Sequence, residues 1–265
     1  MVTPHEIAEY IKNVPPLPDT LRKTLDALQH GELADAAKIA AGDPAMMHYL
    51  KQVVNSAAYG FRNELKDASQ IFSALGIERA KQLLYAYMVT LIAPKKWRYF
   101  TLDSKGFTQF QTALMRRWEK IVKKESEEEK YLSGAAIMSA GLVVADAIFG
   151  DHASDVALLR ESGDYDLDTI LERVSHLRFD RLVTTIAEKW EIEEDVKRLV
   201  TLAFGKEDCE IDDHVCRLAR MLHLLLFYEL SRPLMLDAGA NVFIRFNTEF
   251  ADPVFDTFQE IVGIE

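Results

Sequence analysis

Side chains able to hold a metal, move a proton or attack an electrophile concentrate in two stretches of this chain. Asp151-His152-Ala153-Ser154-Asp155 brings two carboxylates and an imidazole together, donor types that divalent ions accept. The same stretch also serves as a helix start, with aspartate capping and histidine exposed, and then needs no ion. The second stretch holds Cys209, Asp212, Asp213, His214 and Cys216. Its spacing is not the Cys-x-x-Cys pair of a structural zinc site, and Cys216 reads as the inward face of a helix. His48 and His223 lie on apolar helical faces, where a lone imidazole reads as a hydrogen-bonded packing residue. Nucleophilic catalysis needs a serine or cysteine beside a base, and no Gly-x-Ser-x-Gly turn is present. Neither a Gly-x-x-x-x-Gly-Lys loop nor Gly-x-Gly-x-x-Gly occurs. Two cysteines give no disulfide framework.

The elements that must position these groups read as helices throughout. Thr3-Pro4-His5-Glu6 is a capping box, with Ile7, Tyr10, Ile11 and Val14 on one face. Pro15, Pro16 and Pro18 stiffen the connection, Asp19 caps the next helix and Gly31 ends it. A short helix spans 32–41. Asp43 caps a helix with Pro44 at its first position and Met47, Leu50 and Val54 along one face. Asn55-Ser56 falls at its end and Gly60 reverses the chain. Asp67 caps a helix that stops at Gly76, and 78–92 is apolar nearly all round, so it is buried.

Further on, 107–124 is a long helix of mixed charge, and the run from Lys123 to Lys130 is a solvated junction. The stretch 132–149 is rich in Ala, Gly and Ile, so neighbouring helices can approach it closely. Shorter helices follow between 151 and 172, then at 179–190, 192–204 and 212–231. The final stretch carries Phe250, Val254, Phe255, Phe258 and Ile261 on one face. Phe243-Ile244-Arg245-Phe246 is strand-like but has no obvious partner.

Composition bounds the function. The 265 residues are 49% hydrophobic and carry 31 basic against 42 acidic residues, a net charge of -11. That balance disfavours a nucleic-acid backbone or an anionic membrane as partner. Lys95-Lys96-Trp97-Arg98 is the one compact basic-aromatic spot, and it reads as a loop with Trp97 covering the core. No leading signal pattern is visible. No apolar run reaches the ~20 residues of a membrane span, the longest being 222–230. A cytoplasmic protein is expected.

Four pieces in order carry a family resemblance: Val14-Pro15-Pro16-Leu17-Pro18, Asp43-Pro44, Asn55-Ser56-Ala57-Ala58-Tyr59-Gly60, and Ala74-Leu75-Gly76. Together they resemble the HDOD family, the HD-related output domain of bacterial signalling proteins, clearly over the first third and less so to about residue 200. The resemblance implies an all-α fold: an N-terminal helical subdomain (1–100) packed on a degenerate HD-like helical bundle (101–265), one unit over 1–265.

Active HD phosphohydrolases hold a metal through histidines and a His-Asp dyad, which generates a nucleophilic water. Here none of the seven histidines precedes an aspartate. By pattern the dyad positions hold Met138 and Ser139, and the upstream histidine position holds Gln111. Methionine and serine are poor ligands for a hard ion. The resemblance therefore implies no metal, no cofactor and no catalysis, but a free-standing adaptor that binds a protein partner in a signalling pathway. Asn55, Ser56 and Tyr59 are the candidate docking residues, set against a plainer reading in which Asn55 bonds backbone and Tyr59 packs beneath the turn. Two alternatives stand beside it. One is a phosphohydrolase with relocated ligands, for which Asp151, His152 and Asp155 are the remnants. The other is a small-molecule sensor with a cavity around Met138 and Ser139.

Overall fold

The computed structural model describes residues 17–263 except 58, 127, 164, 206–208, 211 and 241–246. The expected capping box at Thr3 and the strand-like 243–246 lie outside the described residues. Within them the regular structure is helical, with no strand. Five helices open the fold: α1 (Asp19–Gln29), α2 (Leu33–Ala40), α3 (Pro44–Val54), α4 (Ala68–Leu75) and α5 (Ile77–Ile92). The long α6 (Ser104–Glu125) follows, then a 3-10 turn (Glu129–Leu132) and α7 (Ser133–Asp151). Then come α8 (Ala153–Ser162), α9 (Leu167–Ser175), α10 (Phe179–Lys189), α11 (Glu194–Leu202) and α12 (His214–Leu230). The last helices are α13 (Pro233–Asp237), α14 (Thr248–Ala251) and α15 (Phe255–Val262).

Local chemistry sets these boundaries. Asp43 Oδ1 accepts from the Ala45 and Met46 amides, both at 3.0 Å, and Pro44 occupies the first turn. Asp67 caps α4 through the Gln70 amide at 2.9 Å, and Gly76 ends it at φ 76, a conformation glycine adopts without strain. Asp103 caps α6 through Gly106, so that helix starts three residues before the expected Phe107. Asp19 is not a cap: it is the first helical residue and its carboxylate pairs with Arg22 at 2.6 Å. Pro18 takes the cap position with no side-chain acceptor.

The core is one contiguous cluster running from Leu21 on α1 to Phe258 on α15. At its centre α5 packs along α7. All but one residue of α7 from Ser133 to Phe149 is buried, and its glycines permit that packing. A Cβ on Gly141 would sit 2.4 Å from the Phe179 ring, and one on Gly134 would sit 2.9 Å from Leu199. The close approach expected of this small-residue helix is therefore realised against α10 and α11. The stretch Glu129–Asp151 is long and apolar enough to cross a membrane by composition, correcting the expectation that no run is; 94% of its most apolar 18-residue window is buried inside the fold. Its side chains face helices where lipid would otherwise lie.

One buried carboxylate interrupts that apolar helix. Asp146 is fully buried, and its carboxylate accepts the backbone amides of Arg98, Tyr99 and Phe100, each at 2.9 Å. The basic-aromatic loop is thereby pinned to the core, and Trp97 is buried over it against Phe107. Phe255 departs from the expected inward face of the last helix: it is 40% exposed while Phe250, Val254 and Phe258 are buried. A 3-10 turn at Asp252–Val254 precedes α15 and shifts the helical phase.

The two cysteines also differ from expectation. Cys209 and Cys216 form a disulfide across the entry to α12, their Cα atoms 5.5 Å apart. The turn capped by Asp213 folds the chain back and brings residues seven positions apart within bridging reach. The expectation for Cys216 itself holds, since it is buried on the helix.

Candidate functional site

The three positions that match HD metal ligands come together in the core. Gln111 lies on α6, Met138 and Ser139 on α7, and all three are fully buried. Gln111 Nε2 donates to Ser139 Oγ at 3.0 Å and approaches the Ala86 carbonyl at 3.4 Å. Ser139 Oγ in turn donates to the Ala136 carbonyl at 2.6 Å. From the other side Tyr49 donates to Gln111 Oε1 at 3.4 Å and packs on Tyr87, ring centroids 5.3 Å apart. Burial pushes the Tyr49 phenol far above its ordinary range, so it stays a neutral donor.

The result is a directed relay: phenol to amide, amide to hydroxyl, hydroxyl to carbonyl. Each polar group there has a protein partner, as buried polar groups require. Met138 contributes an uncharged thioether. A hard divalent ion needs charged or strongly dipolar oxygen and imidazole donors, so these residues do not fit the metal that the HD resemblance would imply.

The other clusters are committed elsewhere. Asp151 ion-pairs with Arg98 at the end of α7. His152 Nδ1 lies 3.9 Å from Asp155 Oδ2 on a partly exposed helix junction. Asp213 caps α12 and pairs with Arg198. His214 Nε2 contacts Ser126 Oγ at 2.9 Å. Among the described residues no three of His, Cys, Asp and Glu gather where an ion would be held.

The Asn55–Tyr59 turn divides into scaffold and surface. Asn55 is exposed, yet its amide is consumed: Nδ2 donates to the Leu65 carbonyl at 3.0 Å and Oδ1 accepts the Leu65 amide at 2.8 Å. That reciprocal pair closes the 55–65 loop. Tyr59 is half-buried, stacks on Phe61 with ring centroids 6.4 Å apart, and its phenol is pushed up by burial and then by Glu119. The plainer reading of both residues, backbone bonding and packing, describes these contacts.

Ser56 differs, because it lines a groove of about 800 Å³ between the end of α3 and the outer face of α6. Lys105, Thr112, Arg116 and Lys120 form its α6 side and Val53 part of the other. A smaller cavity of about 360 Å³ shares Gln109, Ala113 and Arg117 with it and extends to Leu234 on α13. None of these residues was singled out from the sequence, where α6 read only as mixed charge. The signal was there: 105, 109, 112, 116 and 120 recur at helical spacing with no acidic residue among them.

The HDOD domain family matches residues 14–203, so the chain belongs to the HDOD family. No curated protein matches the sequence. Among solved structures, an HDOD domain protein of unknown function from Geobacter sulfurreducens superposes with a TM-score of 0.61 at 12% identity, covering 94% of this chain and 91% of that one. A protein named "Putative phosphohydrolase" from Shewanella amazonensis SB2B gives 0.64 at 14% identity, with 96% and 95% covered. A protein named "Putative signal transduction protein" from Marinobacter aquaeolei VT8 gives 0.62 at 15% identity, covering 94% of this chain and 57% of that one. At these identities the likeness establishes the all-helical fold.

Proposed function

We propose that this protein is a non-catalytic signalling output module that works by docking another protein at the groove between α3 and α6. One observation carries this reading. The positions where an HD hydrolase holds its ion are occupied by a closed relay from Tyr49 through Gln111 to Ser139, while the accessible recess lies on the opposite face of the same helix, beside the family's own turn. A hydrolase invests its polar groups where the substrate sits. Here the buried ones are spent on one another. The small-molecule alternative places its ligand around Met138 and Ser139, both of which are fully buried. The hydrolase alternative relies on Asp151, His152 and Asp155, and Asp151 is already paired with Arg98. The name borne by the Shewanella structure keeps hydrolysis worth testing. A cytoplasmic site of action belongs to the same proposal.

Gln109→Trp would fill the shared edge of both cavities from an exposed helical position. Affinity capture from the source cell should lose a specific protein with this variant while helical circular dichroism is unchanged. Turnover of bis(p-nitrophenyl) phosphate by the wild-type protein, abolished by Asp151→Ala, would overturn the reading.

A further inference from the structure

The charge of the groove opposes that of the chain. The protein carries a net charge of -11, yet Lys105, Arg116 and Lys120 all face the groove. Among the described residues these three form no ion pair, whereas the cations around them do. Arg79 and Lys123 share Glu119, Arg117 pairs with the buried Glu229, and Arg217 pairs with Glu125. An unpaired cation surrounded by a net-negative molecule is a local attractor for negative charge.

Geometry narrows the ligand. Lys105 and Arg116 are eleven positions apart on one helix, or about 16 Å at the ~1.5 Å helical rise. One phosphate group could bridge Arg116 and Lys120, one turn apart, but would leave Lys105 unmet. About three turns of a second helix reach all three. The groove between the charges is lined by short side chains, Thr108, Thr112 and Ala113, which let a helix come close. Apolar surface is available alongside: Leu234, on the rim of the adjoining cavity, is 37% exposed, while Phe110 and Met235 form its buried floor. An elongated recess with an apolar strip and a basic edge matches the helix-in-groove mode of recognition.

Resting on the docking reading above, we infer that the occupant is an amphipathic helix of a partner protein whose polar face is acidic, its carboxylates meeting Lys105, Arg116 and Lys120 and its apolar side chains meeting Ala113 and Leu234. Such pairs at an exposed edge set orientation and association rate more than affinity, so binding should weaken with salt.

The test uses the full chain with a photo-crosslinking amino acid at Gln109, expressed in the source cell, and a control at Leu158, which is 63% exposed. Mass spectrometry of the cross-linked peptide reads the occupant. A helical segment with Asp or Glu at helical spacing supports the inference. So does loss of that product, by about tenfold or more, when Lys105→Glu, Arg116→Glu and Lys120→Glu are combined and circular dichroism is retained. A neutral or basic partner segment overturns the acidic-helix inference and leaves the docking reading standing. A product joining two copies of this chain also overturns the inference. No product beyond the Leu158 control overturns both.

Discussion

The two faces of α6 face opposite tasks. The inner face carries Phe107, Phe110, Gln111, Leu114 and Trp118, all buried, and its one polar member is tied into the Tyr49–Gln111–Ser139 relay. The outer face carries Lys105, Gln109, Arg116 and Lys120, all exposed. By pattern the inner face holds the positions at which HD relatives bind a metal, and here its side chains are buried and bonded to one another. Such burial costs little when amide, hydroxyl and phenol satisfy one another, because a fully paired buried network has no unsatisfied group left to penalise the fold. The outer face then holds the accessible recess. Mutations on the two sides should therefore fail differently, inner ones through stability and outer ones through binding.

The largest effect belongs to Gly141→Val. Its Cβ would meet the Phe179 ring at 2.4 Å and Val183 at 2.6 Å, and both belong to a packed helix that cannot withdraw. Overpacking of this kind costs about 1–3 kcal/mol or more, so thermal unfolding should drop steeply or soluble protein should be lost. Asp146→Ala comes next. It strands three amides of residues 98–100, each worth roughly 1–3 kcal/mol when buried without a partner. Chemical denaturation should show a loss of several kcal/mol, and Trp97 fluorescence should report a released loop.

Gln111→Leu is milder. It removes both ends of an amide but leaves Ser139 its Ala136 partner, so about 1–2 kcal/mol is expected from denaturation midpoints. A variant that lost activity toward any phosphoester without losing stability would break the inner-face account.

Acid sensitivity sharpens the comparison from a third position. His223 Nδ1 pairs with the Ala203 carbonyl at 3.0 Å, and its Nε2 accepts the Asn247 amide at 3.2 Å. Accepting at Nε2 requires the neutral ring, and burial lowers its pKa from the ordinary 6.5. The unfolded chain therefore takes up a proton near pH 6.5 that the folded one resists. Stability should fall as pH drops below about 6.5 toward the lowered folded value. His223→Gln should flatten that slope in pH-dependent melting. Smallest of all, Lys105→Ala and Arg116→Ala should change stability by no more than about 0.5 kcal/mol, with their effect visible in partner capture alone.

Most of the fold was legible in the sequence because caps and glycines act locally. Asp43, Asp67, Gly31, Gly60 and Gly76 do what their types predict, and the small residues of α7 foretell its close packing. Tertiary partnerships were not legible. Asp146 looked like one polar residue in an apolar run, and only the fold brings residues 98–100 to it. The disulfide required knowing that the Asp213 turn folds Cys209 back toward Cys216. Ligand substitutions at 111, 138 and 139 could be spelled out from the motif, but not that two of them bond to each other. The basic stripe on α6 was hidden by acidic neighbours such as Glu119 and Glu125, which interleave with it in sequence but pair with Arg79, Lys123 and Arg217.

The central claim is that the inner face of α6 has exchanged metal chemistry for packing. Elemental analysis of the full chain after equilibration with manganese, iron and zinc and removal of free ions tests it most directly. The account predicts no stoichiometric retention, and the same result for Ser139→Ala. About one ion per chain, lost on changing Gln111 or Ser139, would contradict it.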